Sequence, residues 1–90
     1  MHEHSLMQDL FKKIQTIAHT SQATQVTKVT IQLGALSHIS PEHFREHFDE
    51  MRANSLAENA ALIVTQSTDI HAPDAQDIKL LSVEIAEDPL

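Results

Sequence analysis

The chain has 90 residues, 41% of them apolar, and 13 acidic against 6 basic side chains for a formal charge of -7, which bounds it to one small domain with a single core. Zero cysteines exclude disulfides, thiolate metal sites and thiol catalysis, while seven histidines keep coordination by imidazole, carboxylate and backbone nitrogen open. The charge balance argues against nucleic-acid and anionic-membrane partners, both of which ask for a basic surface.

The chain opens MHEHSL, without the basic start and apolar run of a secretory signal, so the expected location is the cytoplasm. No later stretch reaches the roughly 18 consecutive apolar residues of a membrane span. In LMQDLFKKIQTIAH, the residues Leu6, Met7, Leu10, Phe11, Ile14, Ile17 and Ala18 share one helical face. Ser5 and Gln8 form a candidate capping box that would start this helix just behind MHEH. The polar run TSQATQ ends it.

VTKVTIQL alternates, with Val29, Ile31 and Leu33 on one face and Lys28, Thr30 and Gln32 on the other, the pattern of a strand with one wet side. Gly34, the single glycine, follows where a turn would use a positive φ. In SPEHFREHFDE, Ser40 suits the N-cap, Pro41 the first helical position and Glu42 the positive end of the dipole. Phe44, Phe48 and Met51 mark this second helix's buried side. AALIVTQS reads as a strand with Leu62 and Val64 on one face and Ile63 on the other. A polar loop over residues 67–77, broken by Pro73, precedes IKLLSVEIAED, a strand with Leu81, Val83 and Ile85 expected inward. The whole predicts one α+β domain over residues 1–90, a three-stranded, mixed sheet packed against two helices in the order α-β-α-β-β.

Three constellations bear on chemistry. At the start, the amine of Met1, the amides of His2 and Glu3 and the His2 imidazole can close fused chelate rings, a nitrogen-rich planar set suited to Ni(II) or Cu(II) and poorly to zinc. The amine loses its proton on binding, so affinity falls below neutrality. The alternative is that His2 and His4 are polar residues on a frayed end, and the six residues alone favour it. Second, HFREH at 43–47 matches the H-x-x-E-H pattern of one zinc-peptidase class, with Glu46 in the base position. A short helix without a third ligand or a cleft reads instead as a solvated face, on which His43 and His47 form at most a weak metal pair. Third, His38 and His71 are loop residues that would join a metal site only if folding brings either of them to Met1. No phosphate loop, nucleophile motif or catalytic carboxylate pair emerges, and an enzyme is not expected.

The opening MHE-x-S-L, the strand VTKVTIQLGALS, the segment SPEHFREHFDE, the phrase SLAENAAL and the closing LSVEIAED together resemble the hydrogenase nickel-insertion family, HypA/HybF, in its order along nearly the whole chain. The resemblance implies a metallochaperone that delivers Ni(II) to [NiFe]-hydrogenase or another nickel enzyme, working with a maturation GTPase and the nickel-enzyme precursor. It implies a nickel site at Met1, His2 and Glu3, with Glu3 contributing chiefly its backbone amide, and it turns the reading of the terminus toward metal binding. His4 departs from the family pattern and is an additional candidate ligand. The family's zinc ribbon, with two CxxC pairs, is absent, and the loop 67–77 stands in its place, so no zinc is expected. A homodimer is compatible with the open sheet edges. The alternative function, of a different class, is a protein-interaction or assembly factor that keeps this fold without handling metal.

Overall fold

In the computed structural model the elements run α1 (Glu3–Thr20), β1 (Gln25–Leu33), α2 (Pro41–Arg52), β2 (Ala61–Gln66) and β3 (Ile78–Ala86). The structure describes residues 3–53 and 55–86, with side chains from Ser5 onward. The α+β architecture and the α-β-α-β-β order are those expected from the sequence. The sheet order is β2-β1-β3, so the first strand lies in the centre. It pairs with β2 in parallel, across the α2 crossover, and with β3 antiparallel. The sheet is therefore mixed.

Central placement explains the alternation in β1. Val29, Ile31 and Leu33 are fully buried, whereas Lys28, Thr30 and Gln32 are half-exposed on the opposite face. The two helices cover the apolar face, α1 toward β3 and α2 toward β2. They meet through Phe11 and Phe48, whose ring centroids lie 5.0 Å apart, and Phe44 stacks on Phe48 at 6.4 Å. Met7, Ile14 and Ala18 of α1 complete this core. In α2, Ser40 caps as its sequence predicts: its hydroxyl oxygen accepts from the His43 amide at 3.1 Å, and Pro41 begins the helix.

Four details depart from the sequence reading. The first helix begins at Glu3, so Ser5 is a helical residue and no capping box forms there; an acidic residue type in the first turn favours the earlier start. Ile17 is 39% exposed, because it lies at the lateral edge of the helical stripe whose centre, through Met7, Ile14 and Ala18, is buried. In β3, Thr30 pairs with Ser82 but Ile31 pairs with Leu80, an irregularity that leaves Leu81 out of the register. The alternation changes phase there, so Leu80 packs on the core and Leu81 is 52% exposed. Finally, Gly34 does not have a positive φ; the residues that do are Gln22 and His38. Glycine is required at 34 because a Cβ would press on the Ala75 carbonyl oxygen, lie 2.6 Å from its carbon and 2.9 Å from the Asp74 oxygen.

Arg52, in the last turn of α2, secures the chain between that helix and β2. Its Nε donates to the Ala57 carbonyl at 3.3 Å, Nη2 to the Ala60 carbonyl, and Nη1 to Asp49 at 2.9 Å, while the guanidinium sits 5.1 Å from the Phe48 ring centroid. Replacing Arg52 with Met is expected to lower unfolding free energy by about 1.5–3 kcal/mol in a urea titration, since two carbonyls lose a charged donor. Asp49→Asn, which touches only the exposed pair, is expected to change it by less than about 1 kcal/mol.

Candidate metal centre

Of the ligands expected from the sequence, only Glu3 and His4 fall within the described backbone, at the head of α1. Met1 and His2 lie outside the described residues; Glu3 and His4 are helical in backbone. The first amides of an α-helix have no carbonyl partner within it. The Glu3 amide belongs to that set, so a metal would not compete with a helical hydrogen bond for its nitrogen. Met7 and Leu10, buried one turn later, fix the helix against the core and with it the position of its first turn.

An open cavity of about 360 Å³ beside this end is lined by Leu6, Ser37, His38, Gln76, Asp77 and neighbouring residues. Folding thus brings His38 next to Leu6, near the start of α1, and keeps His71 elsewhere. His38 takes φ 62 in the turn after β1. The Ser37 hydroxyl at this cavity is buried without a hydrogen-bond partner among the described residues. His71 belongs to an exposed turn in which its amide donates to the Asp69 carboxylate at 3.0 Å.

The loop over 67–77 forms the far wall of this region, and β1 holds it. Gly34 donates to the Asp77 carbonyl at 2.8 Å, Leu36 to the Ala75 carbonyl at 2.7 Å, and Ser67 to the Leu33 carbonyl at 2.9 Å. Asp74 is also ion-paired with Lys79. The hydrogen bond from Lys79 holds the Asp74 carboxyl below the usual carboxylate range and raises the Lys79 ammonium above its ordinary value. Neither the close packing at Gly34 nor the cavity was legible beforehand, since both arise from residues forty positions apart; a lone glycine after a strand was the available signal.

His43 and His47 come together on the outer face of α2, with Nε2 atoms 3.0 Å apart. Glu46 is exposed on the same helix. Among the described residues no group of three or more His, Cys, Asp or Glu side chains is placed to hold a metal ion. The peptidase pattern therefore lacks its third ligand there.

The family model for hydrogenase/urease nickel incorporation, metallochaperone, hypA, matches residues 1–84. Hydrogenase maturation factor HypA of Methanosarcina mazei is 42% identical over 64 residues, covering 71% of this chain and 47% of that protein. HypA of Shewanella oneidensis is 32% identical over 82 residues, covering 90% of this chain and 70% of that protein. The chain spans about half the length of its Methanosarcina relatives. The solution structure of the Ni metallochaperone HypA from Helicobacter pylori superposes with a TM-score of 0.81 at 20% identity, covering 98% of this chain and 100% of that one, a likeness of fold. No described helix is long and apolar enough to cross a membrane. By the family match over most of its length and the identity of its relatives, the chain belongs to the hydrogenase/urease nickel-incorporation metallochaperone family, HypA.

Proposed function

We propose that this protein carries Ni(II) at its MHE start and passes it to a nickel enzyme under maturation, by ligand exchange and without bond chemistry of its own. The observation that carries the reading is the family match, which begins at residue 1 and so takes in Met1, His2 and Glu3. In this reading a free Met1 amine, the His2 amide and imidazole and the Glu3 amide bind the cargo in a plane, and His4 is an additional ligand. A planar site at a chain end leaves its faces open, which suits transfer. The proposed partners are a maturation GTPase and the nickel-enzyme precursor, in the cytoplasm, with a homodimer as a further form.

The domain reading extends this proposal. The region 1–90 acts as a single nickel-binding-type unit, and the loop 67–77 takes the place of the family's zinc ribbon. The absence of cysteine supports a zinc-free unit, and so do the three hydrogen bonds that tie the loop to the end of β1.

The test is a calorimetric and absorption titration with Ni(II) near pH 7.5, using protein that starts at an authentic Met1. His2→Ala and a variant with one Gly before Met1 run beside it. One-to-one binding with a planar spectrum, lost in both variants, is expected. Equal binding by all three proteins would overturn the terminal site. A second reading, an assembly factor that binds protein rather than metal, is favoured by a groove in which Ile17 and the exposed Leu81 lie beside Lys12, Lys13 and Lys79. It gains the field if no Ni(II) binds.

A further inference from the structure

The flank of α1 and the edge of β3 enclose an open groove of about 590 Å³ with no carboxylate on its walls. The chain has only six Lys and Arg residues against 13 Asp and Glu, and four of those cations are engaged within the fold. Lys28 is paired with Glu84 and Lys79 with Asp74. Arg45 donates to the Leu62 carbonyl, and Arg52 holds the chain leading to β2. The two that remain, Lys12 and Lys13, are exposed, enter no ion pair among the described residues, and both line this groove. Beside them stand the exposed Ile17 and Leu81.

In the order β2-β1-β3, the third strand pairs with β1 on one side only. An edge strand of this kind leaves a row of backbone N–H and C=O groups for a further strand. It runs nine residues without proline, and its irregular pairing puts the consecutive residues Leu80 and Leu81 on the groove together. A strand added here would lie about 4.8 Å beyond β3, beneath the flank of α1 where Ile17 forms the lateral edge of the apolar stripe. Every second side chain of that strand would face α1, and acidic ones among them would meet Lys12 and Lys13.

We propose that β3 receives an extended acidic segment of a partner protein, paired through its backbone to the strand edge, with apolar side chains on Ile17 and Leu81 and carboxylates at Lys12 and Lys13. Charge selects this occupant. A second copy meeting at the same groove would bring Lys12 and Lys13 of both molecules into one interface, to which the groove contributes no carboxylate. A large polyanion would meet the formal charge of -7, whereas a single acidic strand needs only the width of the groove. The interaction goes beyond the metal-carrying reading and requires no metal.

The probe is a blocked nonapeptide in which threonine alternates with valine and glutamate, so that valine and glutamate share one face. Titrated into the metal-free full chain in EDTA and followed by backbone NMR, it is expected to shift the amides of residues 12–17 and 78–86. A counterpart with lysine for glutamate should bind at least about tenfold more weakly, through like charge. Lys12→Gln combined with Lys13→Gln should weaken the acidic peptide about threefold to tenfold, the range for two exposed pairs. Leu81→Ser should weaken it about fivefold, for part of a leucine's burial. Two N-methylated peptides read the backbone pairing, one methylated on the threonines and the other on the valines and glutamates. One pattern should abolish binding and the other retain it, because only alternate amides of a strand face β3. Thermal melts check the variants, and Leu81→Thr takes the place of Leu81→Ser if that protein unfolds. Shifts confined to another surface, equal binding of the acidic and basic peptides, equal effects of the two methylation patterns, or no shift at millimolar peptide would overturn the proposal. So would a dimer of the protein alone that Leu81→Ser disperses, since the groove would then belong to a second copy.

Discussion

Replacing Phe48 with alanine is expected to destabilise the domain by about 3–5 kcal/mol, the usual loss for a buried phenylalanine. Its ring is fully buried and occupies the junction of both helices, 5.0 Å from Phe11 and 6.4 Å from Phe44. It also forms the surface over which the Arg52 guanidinium lies. Truncation therefore opens a cavity between α1 and α2 and removes the support of the residue that secures the chain leading to β2. At about 0.05–0.15 kcal/mol per residue, a chain of 90 residues has roughly 5–13 kcal/mol to lose. Urea unfolding followed by circular dichroism should show a midpoint displaced far toward zero denaturant. Phe48→Leu, which keeps most of the volume, should recover more than half of the loss.

Gly34→Ala is expected to cost about 3 kcal/mol, the upper part of the range for overpacking a close contact. The obstruction is backbone, the Ala75 carbonyl and the Asp74 oxygen, so no side-chain rotamer relieves it. Ala75→Gly should consequently fail to rescue the variant, which distinguishes this clash from ordinary crowding of side chains. Because φ at Gly34 is not positive, a backbone-strain explanation does not apply. The amides of Gly34 and Leu36, now bonded to Asp77 and Ala75, should exchange with solvent markedly faster in the variant. A thermal melt gives the accompanying loss of stability.

The sequence conveyed the elements well where one periodicity ran unbroken. Val29, Ile31 and Leu33 were readable as a buried face because β1 alternates without interruption across them. The cap at Ser40, the proline start of α2 and the Phe44/Phe48 stripe were readable because each depends on residues within two helical turns. Leu81 was misassigned for the opposite reason. Its orientation follows from an irregular pairing against Thr30 and Ile31, some fifty residues earlier, and no local pattern records a change of phase imposed by a partner strand. Ile17 likewise looked like its neighbours on the stripe, but it lies at the stripe's lateral edge, and how much of α1's circumference is covered is decided by what packs against it, not by the spacing.

For the site, the order of the motifs identified the family, since MHE, QLGALS and SLAENAAL are local strings and survive without any knowledge of contacts. The proximity of His38 to the head of α1 could not be read in this way, because it depends on how the turn after β1 and the loop before β3 close on one another. The pairing of His43 with His47 stands between these cases. Helical spacing placed them on one face, and only the side-chain conformations set their Nε2 atoms 3.0 Å apart. The sequence by itself determined what is periodic or local: element types, the Ser40 cap, the buried face of β1 and the residue types that could bind a metal. Tertiary structure alone decided the phase of β3, the need for glycine at 34 and the neighbours of His38, because these are set by distances between residues that the chain order leaves far apart.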